Sequence, residues 1–254
     1  MVKVLLHGSN GRMGHMVSGI AEKDDRIEIV AGVDAFGKPY GGYPVYQSLS
    51  EVKEEADVVI DFSTASAVDG LLDFCADRKL PVVLCTTGLS EEQTAHMMET
   101  AGKTAVLKSA NMSLGVNMLL AMLKQAAAPL AAAGFDIEIV EKHHRMKVDA
   151  PSGTALALAD AANSALENAY EYVYDRSGRR MKRPDHEIGI SAVRGGTIVG
   201  DHDVIFAGED EVITFSHRAY SRAVFAKGAA EAAVFLSGRE AGLYSMGDVL
   251  GLDA

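Results

Sequence analysis

Two cysteines among 254 residues, Cys75 and Cys85, are too few for a disulfide scaffold. They also lack the spacing of a metal-ligand motif, so a cystine-stapled secreted domain is excluded and a reducing cytoplasm fits. Nowhere do about 18 apolar residues run without interruption, so no membrane span is expected. Met1 passes directly into Val2-Lys3-Val4-Leu5-Leu6, and no signal peptide is expected. Basic charge is scarce: 24 Lys and Arg stand against 35 Asp and Glu, for a net charge of −11. That sign argues against a nucleic-acid partner. Internal repeats and low-complexity tracts are missing too. What remains, 48% hydrophobic and 23% charged, is the balance of a globular protein with one large or two modest domains.

The first third reads as strand, glycine turn, helix, strand and acid. Val2 to His7 is a short buried strand, followed by Gly8-Ser9-Asn10-Gly11-Arg12-Met13-Gly14. A helical pattern from Arg12 to about Lys23 carries Met16, Val17 and Ile20 on one face, and the strand Ile27 to Val33 ends at Asp34. This is the layout of a dinucleotide-binding unit. Glycines permit the tight turn and a close approach of backbone to pyrophosphate, the helix N-terminus faces that charge, and Asp34 would accept from ribose hydroxyls. The candidate cofactor residues here are Gly8, Ser9, Asn10, Gly11, Arg12, Met13 and Asp34. The spacing Gly-x-x-Gly-x-x-Gly differs from the commoner Gly-x-Gly-x-x-Gly. Ala35 and Phe36 offer no arginine for a 2′-phosphate, so the reading leans to NADH, while Lys38 is near enough to keep NADPH in play.

Residues 36 to 56 read as a loop with a short strand near Val45. Asp57 to Ser63 is a strand ending at a Ser63 cap, with a helix from about Ala65 to Arg78. The strand Pro81 to Leu84 stops at Cys85-Thr86-Thr87-Gly88. Open parallel sheets bind ligands beyond the carboxyl ends of their strands, which puts Thr86, Thr87 and Gly88 where a nicotinamide or its ribose would lie. Ser90 and Gln93 form a capping box for the next helix. Thr104 to Leu107 is a strand, and Leu114 to Ala132 a helix.

The most distinctive stretch is Glu138-Ile139-Val140-Glu141-Lys142-His143-His144-Arg145-Met146-Lys147-Val148-Asp149-Ala150-Pro151-Ser152-Gly153-Thr154-Ala155. A strand from Phe135 to Val140 leads into two imidazoles, a guanidinium and two ammonium groups. Pro-Ser-Gly-Thr and an Ala/Leu run then open a helix, capped by Ser152 or Thr154, with Gly153 allowing a ligand close to the backbone. A helix N-terminus has unpaired N–H groups, so a cationic loop leading into one suits a small substrate with carboxylates.

This stretch resembles the signature of the dihydrodipicolinate reductases, also called 4-hydroxy-tetrahydrodipicolinate reductases, of lysine biosynthesis. Gly-Arg-Met-Gly at 11 to 14, Thr-Thr-Gly at 86 to 88 with Cys85 for a glycine, and the 236 to 250 segment extend the likeness. The resemblance implies NAD(P)H-dependent reduction of a cyclic imine dicarboxylate. It implies His143 as general acid, Lys147 binding substrate at the ring nitrogen or holding negative charge nearby, and carboxylate binding by His144, Gly153 and Thr154. Ser109-Ala110-Asn111-Met112-Ser113 is similar to the family's segment beside nicotinamide and substrate, which adds Ser109, Ala110, Asn111 and Met112 to the cofactor set. Glu138 and Glu141 are expected to anchor the loop, with Asp149 a turn former.

Beyond it, a helix is expected from Thr154 to about Asn168, an exposed polar loop from Tyr170 to Asp185 containing Arg179 to Arg183, and strands at 188–193, 197–206 and 211–217. Gly195-Gly196 and Gly208-Glu209-Asp210 read as hairpin turns of an antiparallel meander. An Ala-rich helix spans Ser221 to Ser237. The expected fold is α/β: a Rossmann-type dinucleotide-binding domain (1–113 with 223–254, discontinuous by resemblance) plus a second α+β domain with a mainly antiparallel sheet (114–222). The resemblance also implies a homotetramer built on that sheet. Two alternatives stay open: another two-domain amino-acid reductase, for example on diaminopimelate, and a non-catalytic nicotinamide-sensing module.

Overall fold

The computed structural model describes residues 1–36 and 39–252. The chain divides into two compact units, Met1–Leu114 with Arg222–Ala254, and Gly115–Ser221. In the first unit β1 (Val2–His7), α1 (Arg12–Ala21), β2 (Ile27–Val33), β3 (Val45–Tyr46), β4 (Val58–Asp61), α2 (Val68–Arg78), β5 (Val82–Leu84), α3 (Glu91–Ala101) and β6 (Ala105–Lys108) follow in turn. The strands lie in the order β6-β5-β4-β1-β2-β3, all parallel. Val4 and Leu6 face one apolar cluster and Leu5 the other, so β1 is buried on both faces. A sheet covered on both sides needs unbroken apolar runs, which is why its strands do not alternate with polar residues. Ser90 caps α3 with both bonds of the box in place. Ser63, expected as a cap, is not one: its N–H donates to Asp61 Oδ1 at 3.1 Å, and a 3₁₀ turn at Ala65–Ala67 precedes α2.

The second unit contains α4 (Leu114–Ala132), β7 (Asp136–His143), α5 (Gly153–Ser164), β8 (Glu171–Val173), β9 (Glu187–Arg194), β10 (Gly200–Ala207) and β11 (Val212–Ala219). By length and composition alone α4 could cross a bilayer, but its inward Leu119, Leu123 and Ala127 join the apolar core between helices and sheet. The sheet order is β11-β10-β7-β9-β8. The sheet is mixed: β10 pairs antiparallel with β11 and β7, whereas β9 pairs parallel with β7 and β8. Gly208–Asp210 turns a hairpin, but Gly195-Gly196 does not. The chain leaving β9 passes over β7 and returns on its far side, so the expected meander is only half present.

Parallel neighbours need a crossover of a dozen or so residues. That is the role of the polar stretch between β8 and β9, expected to be a solvated loop. Arg183 pins it to Asp136 at 2.6 Å, Glu138 at 3.1 Å and two carbonyls, and Arg176 pairs with Glu138 and Glu187. Arg179 to Lys182 are exposed.

The chain then returns to the first unit as α6 (Ala223–Leu236), β12 (Gly242–Tyr244) and α7 (Met246–Leu250). Strand β12 extends the sheet at the β6 edge. The small residues of α6 permit very close packing: a Cβ on Gly228 would collide with the carbonyl of Met112.

Candidate functional site

In the first unit, the carboxyl ends of β1, β2 and β4 frame a cleft of ≈ 450 Å³ lined by His7, Gly8, Gly11, Asp34, Phe36, Ser63 and neighbours. Gly8 has φ +80 and a Cβ there would lie 2.6 Å from the Phe62 carbonyl; one on Gly14 would lie 2.4 Å from that of Gly8. Both positions therefore exclude side chains. The turn's N–H groups are largely spent on building it: Gly8 N donates to Val33 O, Asn10 N to Asp34 Oδ2 and Gly11 N to Gly8 O. Gly11 supplies no side-chain cap to α1, so the first-turn N–H groups of Arg12 and Met13 remain for an anion. Ser9 Oγ and Asn10 Oδ1 are buried without partners. A cleft with a bare helix end, two orphaned polar atoms and an acid at the β2 end suits a dinucleotide. Asp34 is held by Asn10 N and Phe36 N, both at 2.9 Å. Lys38 lies outside the described residues.

The neighbouring strand ends are tied by a buried network that the sequence did not announce. His7 Nδ1 lies 2.9 Å from Asp61 Oδ1, and the Thr86 hydroxyl donates to Asp61 Oδ2 at 2.6 Å. Burial alone would raise the Asp61 pKa, but the His7, Ser63 and Thr86 bonds hold it below its ordinary value. Lys108 donates to the carbonyls of Leu84 and Thr86, and burial lowers its pKa. Thr86 is thus buried and committed to the turn, whereas Thr87 and Gly88 are exposed. In the following loop the Ser113 N–H donates to Asn111 Oδ1 at 2.8 Å. Met112 packs into the apolar core. Cys75 and Cys85 are free thiols whose pKa values burial pushes up.

In the second unit, β7 carries the signature. Its inward positions run Ile137, Ile139, Glu141, His143, so the period of two that fills the core with isoleucine then delivers a carboxylate and an imidazole to the same face. Glu141 is fully buried and His143 is 7% exposed. The His143 Nδ1–H donates to Glu141 Oε2 at 2.6 Å. Arg194 forks onto both Glu141 oxygens at 2.7 Å, and Ser152 N donates to Oε1 at 2.9 Å. Burial would raise the Glu141 pKa, yet Arg194, His143 and Ser152 together lower it. Burial lowers that of His143, against the pull of Glu141. His202 on β10 stands edge-on to His143 with centroids 5.2 Å apart, and burial holds its pKa down to about 4.

Beyond β7, His144 is half-buried, Arg145 is exposed, and Lys147 pairs with Asp149 at 2.8 Å. Ser152, not Thr154, is the cap of α5, accepting from Ala155 N at 3.1 Å. Gly153 is exposed, and a Cβ on it would meet no protein atom within 4 Å, which leaves the helix end open to a ligand. Thr154 is half-buried in that first turn. Among the described residues no cluster of His, Cys, Asp or Glu could hold a metal ion. Arg194 and His202, which sequence reasoning missed, complete the buried cluster.

Residues 2–112 match the family pattern described as dihydrodipicolinate reductase, N-terminus, and residues 115–250 its C-terminus counterpart. The chain belongs to the dihydrodipicolinate reductase family. It is 55% identical over 250 residues to the 4-hydroxy-tetrahydrodipicolinate reductase of Caldanaerobacter subterraneus subsp. tengcongensis, covering 98% of each chain. To that of Clostridium tetani it is 48% identical, covering 97% of this chain and 96% of the other. Among solved structures, the dipicolinate-bound dihydrodipicolinate reductase of Paenisporosarcina sp. TG-14 superposes with a TM-score of 0.79 at 26% identity, covering 96% of this chain and 97% of that one. Like other dihydrodipicolinate reductases, the chain is an NAD(P)H-dependent oxidoreductase of lysine and diaminopimelate biosynthesis.

Proposed function

We propose that the chain reduces 4-hydroxy-tetrahydrodipicolinate to tetrahydrodipicolinate with His143 as the proton donor. The observation that supports this most is the arrangement at the end of β7: an imidazole with Nδ1 taken up by a buried carboxylate, followed by Lys147 and the open N-terminus of α5. Bound reduced nicotinamide supplies the hydride. Hydride addition leaves electron density on the substrate ring, and an imidazolium can neutralise it; burial lowers the His143 pKa, and Glu141 works against that loss of the charged form. Lys147 holds the ring nitrogen or the charge beside it, exchanging Asp149 for substrate. His144, the Gly153 and Thr154 backbone and the Thr154 hydroxyl grip carboxylates, orienting the ring by charge-assisted bonds.

Cofactor binding falls to Gly8, Ser9, Asn10, Gly11, Arg12, Met13 and Asp34, with Thr87, Gly88, Ser109, Ala110 and Asn111 toward the nicotinamide. Thr86 and Met112 support those loops from beneath. The Asp34 carboxylate favours a ribose diol, which can donate to it, over a 2′-phosphate, so NADH is preferred. The outer face of the second sheet, with Val193 46% and Val212 63% exposed, serves a homotetramer, and the enzyme works in the cytoplasm.

The test follows loss of reduced nicotinamide absorbance with freshly made synthase product. Parallel runs use diaminopimelate, no substrate, and NADPH in place of NADH. Turnover only with the synthase product, at a higher kcat/KM for NADH, is expected. Oxidoreduction of diaminopimelate, or binding without turnover, would favour the two alternatives instead.

A further inference from the structure

We propose that Glu141, gripped by Arg194, is the positioning residue that fixes which nitrogen of His143 delivers the proton and ties that nitrogen to the carboxylate cradle of α5. The inference rests on the proton-donor reading of His143.

Four donors converge on this one fully buried carboxylate: both terminal nitrogens of Arg194 at 2.7 Å, Ser152 N at 2.9 Å and His143 Nδ1 at 2.6 Å. An ionised carboxylate only accepts, so Nδ1 must carry its hydrogen whether the ring is neutral or charged. The proton gained and lost is then the one on Nε2. Gly200 borders the Nε2 edge, and any side chain there would crowd it, since a Cβ would come within 3.0 Å of Nε2. The other Glu141 oxygen holds Ser152, the cap of α5, so proton donor and anion-binding helix end share one anchor. Arg194 extends the anchor to the loop, donating to the Asp149 carbonyl at 2.7 Å, while Gly195 N donates to His143 O and Arg145 N to Gly196 O. The charged or titratable groups facing His143 are Glu141 on β7, Lys147 on the loop, Arg194 at the end of β9 and His202 on β10. Glu141 alone among them favours the imidazolium.

The experiment compares Glu141→Gln, Arg194→Lys, His143→Ala and the double variant H143A/E141Q in the full chain. Steady-state rates are taken across the pH range, with reduced-nicotinamide binding as a check on fold. Glu141→Gln is expected to lower kcat about 100-fold and to move the alkaline limb of kcat/KM about one unit down, leaving cofactor binding unchanged. Arg194→Lys should do the same to a smaller degree. In the double variant the Gln substitution should add nothing to the loss from His143→Ala. Imidazole ¹⁵N spectra of the unsubstituted enzyme, assigned by the signals missing in His143→Ala, should show Nδ1 protonated throughout and Nε2 titrating; this needs no Glu141 variant to fold. A neutral ring protonated at Nε2 would overturn the inference. So would a Glu141→Gln enzyme with normal rate and limb, or losses that multiply in the double variant, with the proton-donor reading intact in each case. Turnover by His143→Ala within a few-fold of normal would instead remove that reading and this inference together.

Discussion

Each unit buries a carboxylate against an imidazole at the carboxyl end of a strand, yet the two pairs are wired differently. Asp61 and Glu141 are both fully buried, and His7 and His143 are both 7% exposed. Asp61 spends its remaining capacity on Ser63 N and the Thr86 hydroxyl, so its bonds join β1, β4 and the turn after β5 into a strut. Glu141 spends its own on Arg194 and on the cap of α5, and both of those lead to the cationic loop. On the function proposed above, the same chemical pair braces a cofactor cleft in one place and aims a reactive edge in the other. What distinguishes them is where the carboxylate's other partners go.

Breaking the pairs should separate these roles. The largest effect is expected for His143→Ala: kcat falls about 10³-fold while KM changes by no more than a few-fold, as for a group needed in the transition state. Turnover close to normal would erase the distinction between the pairs. Asp61→Ala should instead cost about 3 kcal/mol of stability by leaving its partners buried and unpaired, read from urea unfolding, with kcat of the folded enzyme within a few-fold.

Next comes pH. His202 takes up its proton near 6.5 when unfolded but only at about 4 when folded, because burial disfavours the charge. The unfolded chain therefore binds more protons between those values, and stability falls as pH drops from 6.5 toward 4. His202→Asn should flatten that part of the Tm profile; an unchanged slope would place the titrating group elsewhere. The smallest effect is expected for Thr154→Ala, a rise of about tenfold in KM for the imine substrate with kcat nearly kept. An unchanged KM would remove Thr154 from the cradle.

Much of this architecture was legible in the chain because its signals are local. The β1 and β2 boundaries follow from apolar runs between polar punctuation, and the Ser90–Gln93 box announces α3. The signature loop stood out because its cations interrupt an acidic protein. Partner choice over long distances was not legible. Gly195-Gly196 looks like a hairpin turn by composition, and nothing nearby says that β7 occupies the place between β9 and β10. Glu141 could be read as an anchor, but its clamp, Arg194, is 53 residues away. Likewise Arg183 sits in a basic run that reads as solvated until Asp136 and Glu138 are folded against it.

The return of α6, β12 and α7 to the first unit has a consequence for biosynthesis. Because Arg222–Leu236 must cover an apolar face built by β1, β4 and β6, a nascent chain that has emerged only as far as β11 exposes that face with no cover available. The inserted unit has all of its own strands by then and is free to close first. The nucleotide fold therefore matures last, once α6, β12 and α7 have emerged, and a truncation that removes α6 harms the half of the enzyme that was translated first.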